Sequence, residues 1–488
     1  MFDSEFLTSS ADSTNAYQRL ITQIGEIVCE SLPSQPCSGK TPKALAELLP
    51  REFLPSQAVP SGQIAETLRT VIANSIAISN PRAAAHLHCP PLLASLAAEV
   101  VISTLNQSMD SFDQAPIATI VEQKMIRWLC SEFGYSWAAD GTFTAGGSQS
   151  NYMGLLLARD ALLHEQWNWP AQKAGLPPEA SRLRILCSEA AHFTVEKSAA
   201  QLGLGTNAVL RIAVDDYFRM RPASLGYAFE KLRDQGLLPM AVVATAGTTD
   251  FGSIDPLVEI TSVARKANVW VHVDAAYGGA LLFSGKHRGR LEGIEAADSI
   301  TIDFHKLFWQ PIPCSAFLVR DARSFDSIKL HSDYLNPEVH EEEGIPNLVT
   351  TSLLTSRRFD ALKLWISMQA LGREKLAAMI EQTMHLADHA ARVIRSKQDL
   401  ELVCEPQLSS VVFRYVSDHG FGPDRENAEI RRRLFDGGLA VIGHTRVRER
   451  QCLKLTCLNP TATEEDMEHL IGLIRSQGER ISRSKSAP

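Results

Sequence analysis

Lys306 sits where a short apolar strand pattern, Asp298-Ser299-Ile300-Thr301-Ile302-Asp303, runs into Phe304-His305-Lys306-Leu307-Phe308-Trp309. A lysine among apolar neighbours loses part of its hydration, which favours the neutral amine and equips it to condense with an aldehyde. Thirty-two positions upstream, Val269-Trp270-Val271-His272-Val273-Asp274-Ala275-Ala276-Tyr277-Gly278-Gly279 reads as a buried strand delivering Asp274 at its carboxyl end. Further upstream, Phe143-Thr144-Ala145-Gly146-Gly147-Ser148-Gln149-Ser150-Asn151 is a small-residue turn leading into the helical pattern Tyr152 to Arg159. Glycines let backbone N–H groups approach an anion, and Ser148 and Ser150 offer capping hydroxyls.

An amine, a carboxylate and an anion-binding turn are the three demands of one cofactor. Pyridoxal phosphate needs an amine for its aldehyde, a carboxylate for its ring nitrogen and N–H groups at a helix start for its phosphate. His192, after the strand pattern Leu183 to Cys187, supplies a flat ring to lie over the cofactor. Thr248 and Thr249 follow another buried strand, Ala241 to Ala246, with hydroxyls in reach of a ligand beyond the strand ends. Each feature alone has a plainer reading: a helix cap, a surface lysine, a hydrogen-bonded histidine. Their joint occurrence in one chain order favours the cofactor.

These residues resemble the group II pyridoxal-phosphate-dependent amino-acid decarboxylases of the aspartate-aminotransferase fold (fold type I). The resemblance is carried by Thr144-Ala145-Gly146-Gly147-Ser148-Gln149-Ser150-Asn151, Ala190-Ala191-His192-Phe193, Ala244-Thr245-Ala246-Gly247-Thr248-Thr249, His272 to Gly279 and Asp303-Phe304-His305-Lys306. Within the family the chain is similar to bacterial L-2,4-diaminobutyrate decarboxylases and to lysine or ornithine decarboxylases of siderophore pathways, through Ala85-His86-Leu87-His88-Cys89-Pro90-Pro91, Asn106 to Gln114 and Thr355 to Trp365. The resemblance implies Lys306 as the cofactor-binding amine, Asp274 on the ring nitrogen and His192 stacked on the ring. It places Gly147, Ser148, Gln149 and His305 at the phosphate and Thr249 and Ala276 beside the ring. Tyr334 matches a loop tyrosine that returns a proton to the substrate carbon, on a segment, 331–347, expected to close over the site.

The same resemblance implies a homodimer whose sites are completed across the interface. Leu87, His88, Asp110 and Asp113 fall where the family builds its side-chain pocket, and two aspartates there suit the distal ammonium of a diamino acid. Either aspartate serves equally as a helix cap. The expected reaction is therefore decarboxylation of L-2,4-diaminobutyrate to 1,3-diaminopropane. The alternatives are lysine or ornithine giving cadaverine or putrescine, then an aromatic amino acid, or another enzyme of the same fold. One departure stands out: many members carry Asn-Pro-His-Lys where this chain has Asp303-Phe304-His305-Lys306, and a carboxylate beside a phosphate is repelled unless turned away. Asp303 has no assigned role at this point.

The elements that position these residues alternate. Short β-rich runs at 183–188, 208–214, 241–246, 269–274, 298–303 and 315–319 are separated by helical stretches, so a largely parallel sheet covered on both faces is expected. Residues 1–90 read as a proline-punctuated helical segment at the dimer interface and 91–371 as the large cofactor-binding domain, opening on a buried helix over 92–102 with a second over 122–132. Residues 372–478 read as a small α+β domain, and 479–488 as a disordered tail. With 48 basic against 56 acidic residues, a net charge of -8, the chain lacks the basic excess of a nucleic-acid binder. Nine scattered cysteines without a C-x-x-C pair read as reduced thiols rather than a metal site. The first residues lack a basic and apolar leader and no stretch reads as a membrane span, so a cytoplasmic enzyme is expected.

Overall fold

The computed structural model describes residues 5–417 and 422–483. In chain order its strands are β1 (Ala83–Ala84), β2 (Asp140–Thr144), β3 (Leu183–Ser188), β4 (Val209–Ile212), β5 (Leu238–Thr245), β6 (Trp270–Asp274), β7 (Ser299–Asp303), β8 (Ser315–Val319), β9 (Leu400–Leu402), β10 (Ser410–Tyr415), β11 (Val441–Val447) and β12 (Arg450–Thr456). The larger sheet runs β2-β8-β7-β6-β5-β3-β4. Strands β4, β3, β5, β6 and β7 are mutually parallel, and β8 is antiparallel to β7 and β2.

Both faces of this sheet are covered, as continuous apolar strands require. Ile185, Cys187, Ala241 and Val243 pack with Leu155 and Leu156 of helix Gly147–Trp167. Their neighbours Leu186, Val242 and Ala244 point the other way, into a core with Leu225 and Ile260 from helices Pro222–Asp234 and Leu257–Lys266. The period-2 alternation thus splits each strand between two apolar layers. Register brings the carboxyl ends into line: Thr245 pairs with Asp274, and Asp274 with Thr301.

The smaller sheet runs β1-β11-β12-β10-β9. It is tied to the large domain by Trp309 Nε1 donating to Leu458 O at 2.7 Å and by the Tyr277 hydroxyl, 2.8 Å from Ser409 Oγ. Its helical cover includes Glu464–Arg483 and the far half of Ala361–Arg395, which breaks at Gly372 (φ 69°).

Four sequence expectations change. The 1–90 segment is helical over Ala11–Ser31, Pro42–Ala46 and Ser61–Ala73, but Ala83–Ala84 pairs parallel with β11 and so belongs to the small sheet. Strand β2 takes Phe143 and Thr144 out of the expected turn, because β8 supplies an antiparallel partner that local sequence cannot reveal. The buried helix expected over 92–102 forms as Leu93–Leu105 but leaves Leu93, Val101 and Leu105 exposed. Finally, 479–483 continue the last helix, its apolar stripe running through Ile474 to Ile481, while 484–488 lie outside the described residues.

Candidate active site

The carboxyl ends of β5, β6 and β7 and the turn after β2 border a cleft of ≈ 470 Å³. Lys306, Asp274, His192, Ala276, Thr249, His305, Gly147, Ser148 and Gln149 all line it. The turn is shaped by Gly146, whose φ of 143° an L side chain rarely adopts, and the helix starts at the next residue. There Gln149 Oε1 accepts from Ala145 N at 2.9 Å, leaving Gln149 Nε2 buried without a partner.

Asp274 is held from two sides. Its Oδ2 accepts from Asn151 Nδ2 at 2.7 Å and its Oδ1 from Ala276 N at 3.1 Å. Asn151 Oδ1 in turn faces His272 Nε2 at 3.0 Å and accepts from Thr301 Oγ1 at 2.8 Å. Burial pushes the His272 imidazole well below its ordinary value, so the ring is neutral. The helix approaches this ring closely because residue 154 is glycine; a Cβ there would stand 2.5 Å from His272 Nδ1. His192 Nδ1 lies 2.9 Å from Thr194 Oγ1, and burial pushes this imidazole down as well.

Lys306 Nζ stands 3.0 Å from Asp303 Oδ2. Asp303 is therefore not turned away from the cleft. Its other oxygen accepts from Ser315 Oγ at 2.6 Å, and Oδ2 lies 3.6 Å from His305 Nε2. Burial alone would raise this carboxyl, but the Lys306 ammonium and His305 hold it below the usual carboxylate value. His305 Nδ1 donates to Cys314 O at 2.9 Å, which orients the ring, and burial lowers its pKa.

The structure does not bring every expected residue here. Tyr334 is 87 % exposed and is absent from the cleft lining. Leu87, His88, Asp110 and Asp113 also lie outside it, although their segment runs beside the Lys306 turn: Cys89 Sγ donates to His305 O and Leu92 N to Trp309 O. Asp113 Oδ1 accepts from Ser111 Oγ at 2.6 Å, while Asp110 Oδ1 is buried without a partner. Thr248 is also turned inward, its hydroxyl accepting from Ser253 N at 3.0 Å.

Asn151, Thr245 and Asp303 are among the cleft residues that went unassigned in the sequence. His272, behind Asn151, had a visible signal, a histidine between valines on a strand otherwise apolar. Asn151 had a weaker one: it stands four positions after Gly147, on the face that packs inward.

The residues present fit pyridoxal phosphate. Gln149 Nε2 and Thr245 Oγ1 are buried polar atoms left without partners at the cleft. A Cβ at Gly147 would stand 3.1 Å from Asp303 Oδ2 and 3.4 Å from Ala276 Cβ, so glycine keeps that wall open. Amine, carboxylate, flat ring and N–H turn converge on one space.

Comparison with known proteins gives the class. The chain belongs to the pyridoxal-dependent decarboxylases, whose conserved domain matches residues 42–416. It is similar to the L-2,4-diaminobutyrate decarboxylase of Acinetobacter baumannii, 42% identical over 417 residues that cover 83% of this chain and 82% of that one. The enzyme of the same name from Rhizobium meliloti is 43% identical over 427 residues, 87% of this chain and 83% of its own. Among solved structures, the glutamate decarboxylase domain of the diaminobutyrate-pyruvate transaminase and L-2,4-diaminobutyrate decarboxylase from Vibrio parahaemolyticus superposes with a TM-score of 0.90 at 38% identity, covering 98% of this chain and 99% of that one. The chain is thus a carboxy-lyase of the pyridoxal-phosphate fold, with the mostly parallel sheet expected from its sequence.

Proposed function

We propose that this enzyme decarboxylates L-2,4-diaminobutyrate to 1,3-diaminopropane and carbon dioxide. The observation that carries the chemistry is the convergence of Lys306, Asp274, His192 and the Gly147–Gln149 turn on one cleft; the names of the relatives at 42% and 43% identity favour the diamino acid. When bound, pyridoxal phosphate supplies an electron sink for the pair left behind as carbon dioxide departs. Lys306 would hold its aldehyde, Ser148, Gln149 and His305 its phosphate, and Asp274 its ring nitrogen. Thr249 and Ala276 would flank the ring and His192 would cover it. Asp303 keeps a counter-charge beside the Lys306 amine.

Tyr334 is offered as the proton donor, brought to the cleft when the 331–347 segment closes and excludes water. We place a homodimer beneath this arrangement. Leu93, Val101 and Leu105 leave an apolar face on a helix that begins two residues after Cys89-Pro90-Pro91, so a second copy covering it also approaches the Leu87–His88 segment. Asp110, with a buried oxygen lacking a partner, is then the favoured contact for the distal ammonium. Free cysteines, most of them buried, and a net charge of -8 suit a reducing cytoplasm.

The deciding experiment offers a panel of amino acids to the cofactor-loaded protein and identifies the amines released. 1,3-Diaminopropane is expected as the main product. Cadaverine or putrescine would reassign the substrate to lysine or ornithine, and an aromatic amine would overturn the pocket reading.

A further inference from the structure

Behind the cleft runs a set of buried hydrogen bonds whose directions can be assigned from their ends. Asp274 Oδ2 is a carboxylate oxygen and only accepts, so the amide of Asn151 must turn its Nδ2 toward it. That orientation aims Asn151 Oδ1 at His272 Nε2, which at 3.0 Å must carry a proton. The ring is neutral, so its Nδ1 is the acceptor and takes the proton of Ser299 Oγ at 2.8 Å. Ser299 Oγ meanwhile accepts from Trp270 Nε1 at 3.0 Å, a group that can only donate. Both ends of the chain, the indole N–H and the carboxylate, therefore demand the same directions.

Asn151 also branches. Its second amide proton goes to Thr194 Oγ1 at 3.0 Å. Thr194 is 1% exposed, and the other partner of its hydroxyl among the described residues is His192 Nδ1, at 2.9 Å. Were Nδ1 protonated, the hydroxyl's own proton would have no acceptor among the described residues in this buried place, so the hydroxyl donates to that nitrogen.

We infer that Asn151 and Thr194 are positioning residues that hold His192 as the neutral tautomer protonated on Nε2, so that the ring offers the cleft an N–H donor rather than a lone pair. A carboxylate or phosphate near His192 would be attracted by that donor and repelled by the other tautomer's lone pair. One amide thereby orients both groups assigned to the cofactor, the carboxylate for its ring nitrogen and the imidazole for its face. The inference rests on the proposed roles of Asp274 and His192, but its test does not need the cofactor.

The measurement is ¹⁵N NMR of the full-length, cofactor-free protein labelled at histidine, above the ordinary imidazole pKa, with the His192 signals identified by their loss in His192→Gln. In the native chain Nε2 should carry the proton and Nδ1 should resonate as an unprotonated, hydrogen-bonded nitrogen. Thr194→Val should lose that single pattern and gain the Nδ1-protonated form, and Thr194→Ser should restore the native one. A native His192 protonated on Nδ1, or a Thr194→Val spectrum unchanged from the native, overturns the inference. The native spectrum decides even if Thr194→Val fails to fold. Failure of the native protein to take up pyridoxal phosphate would refute the cofactor reading while leaving this tautomer assignment standing.

Discussion

Replacing Gly154 by alanine sets helix propensity against packing, and the distances say which wins. Alanine in a helix interior is favoured over glycine by about 1 kcal/mol. The new methyl, however, would stand 2.5 Å from His272 Nδ1, 2.8 Å from Cε1 and 3.0 Å from Cγ. Comfortable carbon contacts begin near ~3.5 Å, so the ring must retreat by roughly 1 Å. His272 is fully buried, and forcing extra volume into such a site costs about 1–3 kcal/mol. The retreat also lengthens the 3.0 Å contact from Nε2 to Asn151 beyond hydrogen-bonding range and strains the 2.8 Å contact to Ser299, at about 1 kcal/mol each. The net expectation for Gly154→Ala is a loss of about 2–4 kcal/mol, read by urea unfolding of the cofactor-free chain. In a His272→Ala background the steric penalty vanishes, and the same substitution should be neutral or mildly stabilising. Equal effects in the two backgrounds, or a Gly154→Ala protein as stable as the native one, would refute the claim that this glycine exists to admit the ring.

Three further outcomes are expected. Lys363→Met should destabilise by about 3–5 kcal/mol in the same unfolding assay, since it leaves Asp360 and Glu99 with Arg358 as their remaining cation and removes a fully buried ammonium, 2.8 and 3.0 Å from them, that also donates to Pro311 O and Pro313 O; a loss below about 1 kcal/mol would contradict this. Because burial lowers the pKa of His272, folding favours its neutral form: that contribution is complete above the ordinary imidazole pKa and is lost as the pH falls below it, by up to about 1.4 kcal/mol per pH unit. His192 and His305 shift the same way, so His272→Gln should flatten but not abolish the acid slope of urea-derived stability between pH 7 and 5, and identical slopes would count against it. Borohydride reduction of the loaded enzyme followed by peptide mapping should place the cofactor on Lys306 and nowhere else, and Lys306→Ala should fold without retaining the label.

Much of the sheet was legible because its central strands are buried on both faces and so read as short continuous apolar runs; 183–188 and 315–319 match β3 and β8 in the structure. Strand β2 was not, since Asp140-Gly141-Thr142-Phe143-Thr144 owes its extended form to pairing with β8 far along the chain. The cleft residues at strand ends were readable only in combination: Asp274 closes an apolar run and alone would read as a cap or turn residue, but with Lys306 and the Gly146-Gly147 turn it points to one site. Asn151 escaped because its role depends on His272, 121 positions away, and Asp303 because only the structure supplies its neighbours Lys306 and Ser315. Tyr334 and the Leu87, His88, Asp110 and Asp113 group were legible only as a resemblance, and within one chain they lie apart from the cleft.

The two-residue strand Ala83–Ala84 carries a practical lesson for anyone dissecting this molecule. It pairs with the start of β11, at Val441 and Ile442, an edge with which no later strand among the described residues pairs. A fragment cut to start at residue 372 would present that edge, with its unpaired amides and carbonyls, as an adhesive surface for other copies. Such a fragment should self-associate, and appending residues 80–90 to it should restore a monodisperse species.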